Sequence, residues 1–273
     1  MKKILSAVFG AVLFLAACAG SGQPREVWLQ NAQSETIYLQ IDGYETADSG
    51  KLAVIQHGLA SSFAHPAVQA AKQAFLDNGY LVITFDSRYS LGKSDGSVID
   101  VRLSTFEDDL KTVLAWAKKQ DFYGEPFALA GHSLGGASVL QYAAQNPALV
   151  AKVVPITPVV SGKRWEAGCL AYMPDFCKNW KKNGFYNYQT EVIPYAVVEE
   201  AMSYDAVRAA KDIRAQTLLI TVADDHVIVP QDVKDLYQAL GADKSLGVVS
   251  AGGHNFKTEQ SRQDLYHLIA EFL

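Results

Sequence analysis

The sequence predicts an α/β fold built on a mostly parallel sheet with helices on both faces. Three observations carry this. Short apolar runs alternate with helix-spaced segments from residue 51 onward, as βαβ units require. Several of the runs are predominantly apolar, which suits strands buried on both sides. One block, 161–204, breaks the rhythm and reads as an insertion above the sheet.

Val27–Gln30 and Thr36–Ile41 have the alternation of opening strands. Lys51–Gln56, Tyr80–Phe85, Phe127–Ala130, Lys152–Ile156, Thr217–Val222 and Lys244–Ser250 are the expected core strands. Helices are expected over Pro66–Asp77, stopped by Asn78-Gly79, and over Thr105–Lys119, with Leu110, Val113, Leu114 and Ala117 on one face. Further helices are expected over Leu134–Gln145, Tyr204–Ile213, Gln231–Leu240 and Glu259–Phe272. Within 161–204 no clear period is visible. The block holds nine aromatic residues, about 20% against 11% for the chain. It is read as a small cap on a single domain spanning 25–273.

The chain has 273 residues, 49% hydrophobic and 19% charged, enough for a folded core and unlike a disordered segment. The formal charge of −5 gives no basic footprint for nucleic acid. No Cys- or His-rich cluster has metal-ligand spacing, so neither a metal nor an organic cofactor is expected.

The first residues read as a targeting segment. Lys2 and Lys3 precede an apolar run from Ile4 to Ala17, shorter than the ~20 residues a spanning helix needs. Leu15-Ala16-Ala17-Cys18 resembles the lipobox of bacterial lipoproteins. That resemblance implies cleavage before Cys18, lipidation of its thiol and membrane anchorage. The absence of Asp after Cys18 then implies the outer membrane. Residues 18–24 would be the tether. Loss of residues 1–17 removes two lysines and no acids, leaving 22 basic against 29 acidic residues and a charge of −7. In an oxidising compartment Cys169 and Cys177 become a candidate disulfide, worth roughly 2–3 kcal/mol for so short a loop.

The chemistry is concentrated in four segments. Gly131-His132-Ser133-Leu134-Gly135 is G-x-S-x-G between an expected strand and helix. Such a turn exposes a serine Oγ at a helix N-terminus, where the Leu134 N–H faces developing negative charge. His57-Gly58-Leu59 follows a buried strand, and its turn can aim the Leu59 N–H at the same oxyanion; His57 itself is read as structural. Ala223-Asp224-Asp225-His226 leaves a later strand, with Asp225 preferred over Asp224 as the acid. Gly252-Gly253-His254 follows the next strand and offers a mobile turn for a general base. His132 is expected to point away from the reaction. His226 is a loop residue, while His65 and His267 are read as surface or packing residues.

From about residue 51 to 273 the chain resembles the α/β-hydrolase superfamily, in the branch of small esterases, feruloyl esterases and acylglycerol lipases. Asp86-Ser87-Arg88-Tyr89-Ser90-Leu91-Gly92-Lys93-Ser94 resembles its D-x-R-G-x-G-x-S segment. Tyr89 stands where a glycine is usual, and one extra residue precedes Gly92. Val222 replaces a common glycine before the acid, and one extra residue separates Asp225 from Pro230. The resemblance implies an α/β-hydrolase fold and acyl transfer by Ser133, His254 and Asp225, with Leu59 and Leu134 as oxyanion hole. The expected activity is a carboxylic ester hydrolase for small-molecule esters with short-to-medium or aryl acyl groups. An acyltransferase or peptidase using the same three residues, or a non-catalytic binding lipoprotein, are the alternatives.

Overall fold

Runs of buried apolar residues set the centre of the sheet, and amphipathic segments set the layers around it. The structure, a computed structural model, describes residues 23–273. The expected signal region, Cys18 and the tether as far as residue 22 lie outside the described residues.

In chain order the first half comprises β1 (Arg25–Gln30), β2 (Thr36–Asp42), β3 (Leu52–Gln56), α1 (Pro66–Asp77), β4 (Leu81–Phe85), α2 (Leu103–Ala117), β5 (Phe127–His132), α3 (Leu134–Gln145) and β6 (Val150–Ile156). The block after β6 forms α4 (Gly162–Tyr172), α5 (Pro174–Asn183), the hairpin β7 (Phe185–Tyr188) and β8 (Glu191–Pro194), and α6 (Ala196–Ala201). The chain then returns through α7 (Ala206–Ala209), β9 (Gln216–Val222), α8 (Pro230–Ala239), β10 (Lys244–Val249) and α9 (Glu259–Phe272). Eight strands form one sheet in the order β1-β2-β4-β3-β5-β6-β9-β10. The β1–β2 and β2–β4 pairs are antiparallel, and every later pair is parallel.

Every residue of β3, β4 and β5 is buried. Alternate side chains serve opposite layers. Ala53 and Ile55 pack with Ala67, Ala71 and Phe75 of α1 and Leu265 and Ile269 of α9. Leu52 and Val54 face the layer of Phe106, Leu110, Val113, Val139 and Leu140 from α2 and α3. Pro66 opens α1, with the His65 ring accepting from the Ala67 N–H at 3.2 Å, and Gly79 at φ 79° follows its end. This is the α/β-hydrolase fold.

The expected helix over Tyr204–Ile213 is shorter than its pattern. Asp205 caps α7 through the Arg208 N–H at 3.2 Å, and a 3₁₀ turn over Ala210–Asp212 follows at once. The aromatic block shows no single period because it is two helices, a hairpin and a third helix in succession. Its interior is a ring cluster around Trp180, with Trp165, Phe176, Tyr186 and Tyr195 at centroid distances of 5.0–6.0 Å. The indole N–H of Trp180 donates to the Ile193 carbonyl at 3.1 Å.

Cys169 and Cys177 correct the disulfide expectation. Both are free, buried thiols on the paired helices α4 and α5. Burial and the neighbouring Cys177 push the Cys169 thiol up to about 12, which keeps it protonated and unreactive. The Cys177 thiol lies 4.0 Å from the Glu166 carbonyl. Ring packing, not a covalent bridge, holds the cap together.

Beside β2 and β4 lies a buried ionic cluster. Arg88 donates through Nε to Asp109 at 2.6 Å and through its backbone N–H at 2.7 Å, and its guanidinium also pairs with Glu35. Tyr89, at φ 60°, donates its hydroxyl to Glu35 at 2.7 Å, which anchors a left-handed residue where a glycine is usual. Burial raises the Asp109 carboxyl to about 6 despite Arg88. A carboxyl raised in this way holds its proton more tightly folded than unfolded. Its contribution is therefore present at low pH and lost as pH rises through the folded value. Arg88→Ala removes the compensating charge and is expected to lower the unfolding free energy by about 3–5 kcal/mol, with the larger loss near pH 8 and a smaller one near pH 5. Urea denaturation at the two pH values measures this.

Candidate active site

The site begins with a strained residue. Ser133, between β5 and α3, holds φ 54° and ψ −113°, a conformation costly for any residue with a Cβ. Its neighbours show why the motif needs glycines. A Cβ on Gly131 would lie 2.3 Å from the Gly135 carbonyl oxygen, and one on Gly135 would lie 2.3 Å from the His57 oxygen. The tight turn is tied down by Ser133 N–H to Ile156 O at 2.9 Å and Val159 N–H to Ser133 O at 3.0 Å. Oγ is thereby presented at the mouth of the turn although the residue is only 6% exposed.

Two loops meet it. His254 Nε2 lies 2.9 Å from Ser133 Oγ, and His254 Nδ1 lies 2.8 Å from Asp225 Oδ2. The other Asp225 oxygen accepts the Val227 and Ile228 N–H groups at 2.8 and 2.9 Å, so the buried carboxylate is held by three donors. Asp224 has a different task. It accepts from Gly253 N–H at 2.8 Å and Gly252 N–H at 3.3 Å, and these bonds hold its carboxyl below the usual range. One acid thus faces the histidine ring and the other ties down the loop that carries it.

Leu134 is the first residue of α3, where helix amides lack intrahelical acceptors. Leu59 lines the cavity beside Ser133. Among the described residues, neither N–H donates to a protein acceptor. His57 lies beneath this loop as a neutral brace, its Nδ1–H donating to Gly58 O at 2.7 Å and its Nε2 accepting the Ser87 N–H at 2.9 Å.

A cavity of about 560 Å³ opens over Ser133. Trp165, Phe176, Trp180, Tyr186 and Tyr188 of the aromatic block line it, with Cys169, Met173 and Val227. The remaining rings of that block, Tyr172, Phe185, Tyr195 and Tyr204, do not. Among the described residues no group of His, Cys, Asp and Glu is placed to hold a metal ion.

Residues 48–196 match the family described as serine aminopeptidase, S33. The chain belongs to this family of hydrolases. An Escherichia coli protein described as an uncharacterized 31.7 kDa protein in the traX-finO intergenic region is 26% identical over 203 residues, 62% of this chain and 71% of that one. Protein phosphatase methylesterase 1 of Gibberella zeae is 35% identical over 126 residues, 44% of this chain and 31% of its own. Among solved structures, Est1E of Butyrivibrio proteoclasticus with bound ferulic acid has a TM-score of 0.77 at 17% identity, covering 90% of this chain and 97% of that one. The esterase Pf2001 of Pyrococcus furiosus has a TM-score of 0.68 at 19% identity, covering 92% and 89%. At such identities these structures speak for the fold.

The hydrolase also uses two histidines that sequence reasoning set aside. His132, 3% exposed, sends Nε2–H to the backbone carbonyl of His254 at 2.9 Å, so the residue before the serine holds the loop that carries His254. Its ring stacks on His65 at a centroid distance of 4.6 Å, and His65 is itself the cap of α1. Burial lowers both rings, His65 to about 4, so both stay neutral in the working range. The one available signal was position: a histidine inside G-x-S-x-G must lie under the turn. His132→Ala is expected to lower kcat by about 10- to 100-fold through misplacement of His254, with KM much less affected and partial recovery in His132→Gln. Steady-state kinetics of the two variants, with circular dichroism to establish folding, measure this. Asp225→Asn is expected to cost far more activity than Asp224→Asn in the same assay; the reverse order would transfer the acid's role to Asp224.

Proposed function

We propose that this hydrolase is a serine esterase acting on short-to-medium or aryl acyl esters through an acyl-enzyme on Ser133. The observation that carries the reading is the unbroken line Ser133–His254–Asp225, with spacings of 2.9 and 2.8 Å, beneath an aromatic roof. His254 Nε2 accepts the Ser133 proton as Oγ attacks the ester carbonyl. Asp225 fixes the Nδ1–H tautomer and stabilises the imidazolium. The Leu59 and Leu134 amides receive the oxyanion. Collapse passes the proton from His254 to the leaving alcohol, and water repeats the sequence to free the acid.

Chemistry at the cavity favours esters over the family's namesake substrates. An aminopeptidase must hold a substrate α-ammonium, and the cavity's described lining contains no Asp or Glu to pair with one. Five rings offer instead an apolar seat for the acyl group, each worth ~1 kcal/mol on contact. Est1E, whose structure carries ferulic acid, an aryl acid, has the same fold.

The test is a kcat/KM series on p-nitrophenyl esters from acetate to palmitate. The expected optimum lies at short-to-medium length, and a maximum at palmitate would contradict the reading. Ser133→Ala is expected to remove activity by about 10⁴-fold or more while the protein stays folded. Export and anchoring belong to the same proposal. Cys18, outside the described residues, carries the lipid, and Cys18→Ser is expected to move the protein from the membrane to the soluble fraction. An unmodified N-terminus elsewhere by intact mass would refute it.

A further inference from the structure

The cavity over Ser133 carries charge of one sign. Lys257 and Arg262 are among its described lining residues, and no carboxylate is. The chain as a whole carries −5, so this patch runs against the average sign of the protein. His65 is held neutral and adds nothing to it.

The two cations are committed differently. Arg262 clamps the loop of the base, donating to Phe256 O at 3.3 Å and Lys257 O at 3.1 Å, and pairs at 2.6 Å with Glu259, whose side chain is 71% exposed. Lys257 makes no ion pair among the described residues. The neighbouring acids are already used: Asp224 on the Gly252 and Gly253 amides, Asp225 on His254 and two backbone amides. Backbone bonding fixes where Lys257 stands, since its N–H donates to Gly252 O at 3.0 Å and closes the turn that bears His254.

That position selects one half of the substrate. His254 delivers its proton to the leaving oxygen, so the alcohol portion of an ester lies on the His254 side of Ser133. The aromatic residues of the cap line the same cavity and offer an apolar surface to the acyl portion. Lys257 stands three residues beyond His254 on the same loop and lines the same cavity. Resting on the esterase reading, we propose that this hydrolase selects esters whose alcohol portion carries an anion, a carboxylate or a phosphate, with Lys257 as the specificity-determining residue. The pairing is made in substrate and transition state alike, so it acts mainly through KM.

The test uses three butyrate esters that differ at the far end of the alcohol: those of 4-hydroxybutyramide, 4-hydroxybutyrate and 3-hydroxypropyl phosphate. At low salt the better anionic ester is expected to exceed the neutral one in kcat/KM by about two- to fivefold, the range of an exposed charge pair, and the order of the two anions identifies the group. Added salt is expected to compress the ratio. Lys257→Ala is expected to bring the anionic-to-neutral ratio to about one, and Lys257→Glu to push it below one. Because each variant is read as a ratio, a general loss of activity does not imitate the effect. A wild-type ratio of one or less for both anions, or an unchanged ratio in Lys257→Glu, overturns the proposal while the esterase reading stands. Failure to cleave any of the three esters overturns both.

Discussion

The backbone of Ser133 is the constraint on which the site depends. At φ 54° the residue sits where side-chain-bearing residues rarely go, and the surrounding chain must hold it there. The glycines at 131 and 135 allow the turn to close to backbone contact, and β6 accepts the Ser133 N–H. The parallel sheet makes this possible, because β3, β5 and β6 lie side by side and bring His57, Ser133 and Thr157 to the same edge. Strain at one residue is thus balanced by packing across three strands. The same turn leads directly into α3, whose Leu134 N–H finds no protein acceptor among the described residues.

A second layer of bonds positions His254. Asp225 orients the imidazole from its own buried loop, Asp224 binds the two glycine amides ahead of His254, and His132 holds the His254 carbonyl from beneath. Three polar side chains from two different segments therefore fix one histidine. This explains how a loop with consecutive positive-φ glycines can carry a ring held to hydrogen-bonding distance on both sides. The glycines give the turn its shape, and the carboxylates and His132 remove its freedom.

Much of this arrangement was legible in the sequence for definite reasons. Short runs dominated by branched and aromatic residues, such as Leu81–Phe85, read as buried strands, and Asn78-Gly79 marks a helix end through a left-handed glycine. The order Ser133, Asp225, His254 with each residue just past a strand already places them at one edge of a parallel sheet. What the pattern could not carry was spatial. Asp224 and Asp225 are adjacent, and only the loop path shows which carboxylate faces the ring. His132 is hidden because its partner is a backbone carbonyl 122 residues away. The cap has no single period because its elements are short and its rings pack on one another around Trp180. Cys169 and Cys177 have a spacing that suits a bridged loop, but both lie on helices, in a cap already held by its aromatic core.

The cavity over Ser133 is lined by five rings of the cap and by Lys257 and Arg262 from the segment that follows His254. In the proposed reaction the acyl group lies toward the rings and the alcohol toward Lys257. All of it presupposes that Ser133 becomes acylated. The most direct measurement is peptide mass spectrometry of the protein quenched in acid during turnover of p-nitrophenyl butyrate. The account predicts one added butyryl group on the peptide carrying Ser133, absent in Ser133→Ala and removed with time as substrate is exhausted. Hydrolysis that proceeds with no acyl group on that peptide, or with the same turnover in Ser133→Ala, would contradict it.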